Sequence, residues 1–310
     1  MALASGLFIV ALAVGGIFFP TAAAAQTAAT ALWMERCNAA GTLPIFDAHS
    51  QFDQDVPEDL VLARMREHGV IGTILSTRGR RHPREAAAFA EGNPDAILAA
   101  ASTKQSGHDP LPLLGSGRFG SAAEILLFHA RKGNRAPEVR IAPDDVSLQP
   151  LYGKIVEMQR PLILHIEFSA LEPENRPQYE TGLGKILRTY AATPVGLIHM
   201  AQLDAAGAKR WLSEHPNLFF IMSHADSLAA RSRQPWTNMF AGDKLQPQWR
   251  SLIEERPDRF VFAMDNVWAE HWRSDYSERI ALWRKTFASF PAGIARQLAC
   301  TNAVRLWRLR

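Results

Sequence analysis

The chain has 310 residues, of which 47% are apolar and 21% charged. That is enough apolar chain for one large core and rules out wholesale disorder. The net charge of +3 carries no dense Lys/Arg stripe, which excludes a nucleic-acid binder and permits an anionic small-molecule substrate.

No charged residue precedes Glu35. An apolar run over 7–19 is followed by Pro20 and small residues up to Ala25. That order predicts a signal peptide over 1–25, cleaved near Ala25, with periplasmic or secreted export. The missing Lys or Arg near Met1 leaves an uncleaved membrane anchor open. Residues 26–42 then form an N-terminal extension, and 43–310 one barrel domain. Two cysteines remain, Cys37 and Cys300. An oxidising compartment would allow them to pair, but Cys300 lies in an apolar helical run, and a buried thiol is the expectation.

The stretch 43–53 begins apolar and ends polar, as a buried strand does when it leaves a core at a working surface. Alternation places Asp47, His49 and Gln51 on one side of that strand. Pro57, the acids Glu58 and Asp59, and Gly69 bound a helix. The β-branched run 70–76 reads as a second strand, followed by a helix near 84–91 and strands over 97–102 and 120–128. The glycines of 111–120 lack phosphate-loop spacing and read as a connection. Further strands are expected at 161–168, 193–200, 218–223 and 259–265. Helices are expected at 147–159, 179–192, 203–215 and 248–255, with two or three more over 274–309. Eight strands alternating with helices, most of them solid apolar runs, predict an α/β fold: a single, somewhat distorted (β/α)8 TIM barrel.

In such a barrel the chemistry sits where strands end. His49, His165, His199 and Asp265 all fall near strand ends, a donor set that suits a divalent metal. Asp47-x-His49-x-Gln51 resembles the Asp-x-His-x-His that ends the first strand of the amidohydrolase superfamily, closest to its amidohydrolase-related (amidohydrolase 2) branch. His165 in Leu-Ile-Leu-His, His199 in Leu-Ile-His-Met, Asp265 in Ala-Met-Asp-Asn and the terminal Asn302-Ala303 resemble later motifs of that family. Gln51 departs from it, standing where a second histidine is usual.

The resemblance implies a metal-dependent hydrolase of a small ester, lactone or amide. The metal, zinc or manganese, would be held by His49, His165 and Asp265, with Gln51 or water completing the set. Asp265 would move the proton, and His199 would ligate or polarise the scissile carbonyl. Glu124, a carboxylate within an apolar strand, is expected in the pocket floor. Arg78 opens a basic loop that can fork a substrate carboxylate. His224 is a further substrate-binding candidate, with His129 and Asp226 beside the pocket. Trp236, Phe240 and Trp249 are expected either in a lid or in packing. Trp268 and His271 would line the pocket or an interface, and a homo-oligomer stays open. Two rival readings remain: a non-catalytic binding barrel that has lost its metal, and a decarboxylase of a small carboxylic acid.

Overall fold

A computed structural model describes residues 22–103, 109–133, 136–231 and 234–309. The leader expected over 1–25 lies outside the described residues up to Thr21. Among the described residues no helix is long and apolar enough to cross a membrane.

Eight parallel staves build the barrel. They are β1 (Ile45–Phe52), β2 (Val70–Thr77), β3 (Ile97–Ala101), β4 in two pieces (Ser121–Ala122 and Ile125–His129), β5 (Leu162–Ile166), β6 (Val195–Leu197), β7 (Leu218–Ile221) and β8 (Phe260–Val261). Pairing runs from β1 through β3 to the first piece of β4, and from its second piece through β5, β6 and β7 to β8. Beyond Val261 the chain keeps bonding to β1: Ala48 N donates to Phe262 O (3.1 Å), Asp265 N to His49 O (2.8 Å) and Gln51 N to Asn266 O (2.6 Å). These bonds join the last stave to the first.

Helices cover the outside, and local chemistry starts them. Pro83–Gly92 opens on a capping box between His82 and Glu85. Ala205–Glu214 opens on Asp204, whose carboxylate accepts from Gly207 N at 2.7 Å. Asn302, in the motif 302–303, donates to Pro257 O (2.8 Å) and Phe260 O (2.9 Å), so it fixes the start of β8.

The core has two layers. One fills the space between staves and helices. The other fills the barrel itself, with Phe46, Ile74, Ile163, Phe219 and Val261 at its centre. The interior is tight enough to require glycine. A Cβ on Gly72 would lie 2.6 Å from the Phe46 ring, and one on Gly196 would lie 2.6 Å from the Phe219 ring.

The N-terminal extension is part of this core. Helix Ala22–Cys37 lies under the barrel, with Trp33 edge-on to Phe46 at 5.4 Å. Cys37 is disulfide-bonded to Cys300, with Cα atoms 5.7 Å apart. This corrects the expectation of a buried thiol. Both sulfurs are fully buried, but an apolar helical run says nothing about what faces it, and what faces Cys300 is the other cysteine.

Several staves are shorter than their apolar runs. The expected strand 193–200 ends at Leu197, where Ile198–Gln202 forms a left-handed turn. The expected fourth strand is interrupted at Ala123 and Glu124, where pairing passes from β3 on one side to β5 on the other.

Candidate functional site

The stave ends open on a cleft of about 550 Å3 lined by, among others, Gln51, Arg78, His165, His199, His224 and Asp265. β1 brings His49 and Gln51 to it but not Asp47. The register of β1 against β2 shifts between Asp47 and Ser50, which breaks the alternation. Asp47 instead accepts from Ser50 Oγ (2.5 Å), Met264 N (2.9 Å), Thr73 Oγ1 (3.2 Å) and His49 N (3.2 Å), tying β1 to its two neighbours. Burial lifts its carboxyl to about 6, against those hydrogen bonds.

Around His49 three donors converge. Its Nε2 lies 3.4 Å from Glu124 Oε1 and 3.4 Å from Asp265 Oδ1. The Gln51 amide nitrogen donates to Asp265 Oδ1 at 2.8 Å and to Glu124 Oε1 at 3.4 Å. Burial disfavours the imidazolium of His49, but the hydrogen bonds to Asp265 and Glu124 outweigh it and raise the ring to about 9. Asp265 is driven upward by burial too. Hydrogen bonds from His224 (Nε2–Oδ2 3.0 Å) and His49 prevail and hold it well below the usual carboxylate range.

His165 stands on the other side of Glu124. Its Nδ1 contacts Glu124 Oε2, and its Nε2 lies 3.2 Å from Glu167 Oε1. The structure thus connects His165 to His49 and Asp265 through Glu124 rather than grouping the three directly. Glu124, expected as pocket floor, is fully buried at the centre of both groups. His199 Nδ1 pairs with Ser223 Oγ at 2.9 Å, and its Nε2 lies 3.6 Å from Asp265 Oδ2. Burial, with His165 adding to it, pushes the His199 ring well below 6.5 and keeps it neutral. Among the described residues four sets can hold a cation: His49–Glu124–Asp265, Glu124–His165–His199, His199–His224–Asp265 and His129–His165–Glu167.

Three of these side chains hang on left-handed backbone: His199 (φ 56°), His224 (φ 50°) and Asp265 (φ 48°). Such a conformation costs a residue other than glycine about 1–3 kcal/mol and persists only where the surroundings impose it.

Arg78 reaches the cleft, its guanidinium 4.9 Å from the Trp268 ring, and His271 packs on the same indole at 4.9 Å. Arg81, one turn further along the loop, is used structurally, donating to Asp53 O and Val56 O. Of the lid candidates only Trp236 reaches the site, packed on His199 (4.8 Å) and His224 (5.0 Å). Phe240 and Trp249 are core residues, so for both the packing alternative holds and not the lid. Asp226 turns from the mouth to Arg279 (3.2 Å) and Trp283 (3.3 Å).

Sequence reasoning missed Glu167 and Lys132. Glu167 is two residues beyond His165, so strand alternation places it on the same face, a signal that was readable. Lys132 Nζ lies 2.9 Å from Glu167 Oε1 and 4.8 Å from the Trp236 ring centre. It comes from a loop whose sequence has no pattern that would single it out.

No family model and no curated protein matches the chain. Solved structures do. A putative 2-pyrone-4,6-dicarboxylic acid hydrolase from Pseudomonas putida aligns at 14% identity and TM-score 0.58, over 86% of this chain and 97% of that one. 2,6-Dihydroxybenzoate decarboxylase from Rhizobium aligns at 16% identity and TM-score 0.55, over 86% and 99%. A protein described as amidohydrolase II aligns at 13% identity and TM-score 0.54, over 85% and 99%. The chain has the barrel fold of these structures along nearly its whole described length.

Proposed function

We propose that the chain is a metal-dependent hydrolase of the amidohydrolase-related type, acting on a small ester, lactone or amide that carries a carboxylate. The observation that carries this reading is the meeting of His49 and Asp265, from opposite ends of the sequence, with the buried carboxylate of Glu124 at the base of the cleft. Two buried carboxylates, Glu124 and Asp265, are costly unless positive charge joins them; the His49 imidazolium supplies one such charge, and a divalent cation in its place would balance both. The donor set fits a divalent metal such as zinc or manganese, with His49 and Asp265 among the residues holding it. A divalent ion lowers the pKa of a bound water toward neutrality.

The chain's own residues do the rest. Asp265 is ionised and offers Oδ2 to a proton, with His224 hydrogen-bonded to that oxygen. His199 is neutral, so its ring is suited to orienting or polarising a substrate carbonyl. Trp236 packs on both histidines and excludes water from that side. Arg78 supplies positive charge at the cleft for an acidic group. The disulfide supports an oxidising compartment and hence export.

Decarboxylation of a small carboxylic acid is the second reading, favoured by the likeness to the Rhizobium decarboxylase. The test is to load chelator-stripped protein with zinc or manganese, measure bound metal by emission spectroscopy, and screen lactones, esters, amides and aromatic acids. Hydrolysis products support the first reading and carbon dioxide release the second. Retention of under about a tenth of an equivalent, the same in His49→Ala, ends the metal-dependent reading.

A further inference from the structure

We propose that Glu124, from the fourth stave, is a metal ligand, and that the ion is held by a single imidazole, His49, in an otherwise oxygen-donor centre that excludes His165. This rests on the metal-dependent reading and specifies which side chains carry it out.

The distances define the centre. Donors about 2.1 Å from one small divalent ion stand about 3.0–3.4 Å apart. His49 Nε2 lies 3.4 Å from both Glu124 Oε1 and Asp265 Oδ1. The terminal amide of Gln51 takes the fourth corner, 2.8 Å from Asp265 Oδ1, 3.4 Å from Glu124 Oε1 and 3.5 Å from His49 Nε2. As placed, its NH2 donates to both carboxylates. Rotating the amide end for end brings its oxygen to the same corner. An imidazole at position 51 would supply a nitrogen there. Glutamine leaves that corner a weaker, equally neutral oxygen, and the carboxylate that makes up the lost donor strength is Glu124.

His165 is occupied elsewhere. Both its nitrogens face carboxylates, Nδ1 at Glu124 Oε2 and Nε2 at Glu167 Oε1. Glu167 is itself fixed by Ala130 N (2.9 Å) and Lys132. His165 is therefore a positioning residue, which holds Glu124 so that Oε1 points at His49 and Asp265. Glu124 is fully buried between the two pieces of β4, so its carboxylate is held by these neighbours and not by solvent.

One nitrogen and three oxygens form a harder donor set than a histidine-rich zinc site, and such sets suit manganese and magnesium. The preference for zinc over manganese is therefore narrow in this chain, and a histidine restored at position 51 widens it.

The experiment uses the full chain, stripped with chelator and titrated with Mn(II). Bound metal is counted after dialysis, and electron spin-echo modulation counts the imidazole nitrogens on the ion. The expected result is one coordinated imidazole in the wild type, metal lost in Glu124→Gln, and metal kept with the same single imidazole in His165→Gln. Gln51→His should give two imidazoles and raise the zinc-to-manganese affinity ratio about tenfold or more. Metal that binds with two imidazoles in the wild type, or survives Glu124→Gln, overturns the proposal and leaves the hydrolase reading standing. Absence of bound metal in the wild type overturns both. If His165→Gln fails to fold by circular dichroism, the imidazole counts in the wild type and in Gln51→His decide alone.

Discussion

Breaking the bond between Cys37 and Cys300 should cost the fold several kcal/mol and leave the cleft intact. The disulfide closes a loop of 263 residues. Cross-linking so long a stretch removes unfolded-chain entropy worth about 5 kcal/mol, an upper figure because real unfolded chains are partly compact. Other contacts keep the N-terminal helix docked, including Trp33 against Phe46 and Thr30 Oγ1 donating to Leu309 O at 2.7 Å. The native structure should therefore persist after reduction, and the loss should appear in the unfolding equilibrium. The assay is urea unfolding of wild type with and without a thiol reductant, beside the double variant Cys37→Ser/Cys300→Ser. The reduced protein and the variant should coincide, about 2–5 kcal/mol below the oxidised protein. Bound metal should be equal in all three, since the cross-link lies at the barrel end opposite the cleft. A shift under about 0.5 kcal/mol would refute the entropic argument, and loss of metal on reduction would refute the separation of the two ends.

Arg78→Ala should raise KM for an acidic substrate about 10- to 100-fold, the worth of a partly exposed guanidinium–carboxylate pair, and leave KM for a neutral analogue near wild type. Steady-state kinetics on a matched pair of substrates checks this, and equal effects on both would remove the carboxylate fork. Gly196→Ala should lower stability by about 1–3 kcal/mol by forcing a methyl into the Phe219 ring, read as a fall in the thermal midpoint. Asp47 gives a pH signature. Its folded carboxyl is raised to about 6 from 3.8, so the native state binds an extra proton between those values. That contribution favours the fold below pH 4 and is lost as pH rises through 6, by about 3 kcal/mol in all. Unfolding free energies of wild type and Asp47→Asn should therefore diverge across that window, with the wild type falling relative to the variant. Parallel curves would contradict it.

The barrel was legible because its staves are apolar on both faces and recur with helices between them, a pattern local in sequence. His49 and Asp265 were legible for the same reason, as polar residues ending apolar runs. What could not be read was anything set by contact across the ring. The register shift between Asp47 and Ser50 breaks the alternation, and Asp47 accepts there from Met264 N, more than 200 residues away. The left-handed turn at Ile198–Gln202 has no glycine to announce it. Trp236 in a polar segment and Trp249 in the helix that follows it are not told apart by composition, yet one covers the site and the other fills the core. Glu124 was noticed as an oddity within a strand, but its meaning depends on three neighbours from β1, β5 and the end of β8.

The left-handed residues around the cleft have a consequence for anyone altering this chain. His199, His224 and Asp265 each sit where glycine would rest more comfortably, so under the proposed function activity and heat tolerance would pull in opposite directions at these positions. A library selected only for survival at high temperature should drift there first, trading reactive side chains for an easier backbone. The same library selected for turnover should leave those three alone and gather its gains on the far side of the barrel, around Trp33 and the helix that carries it.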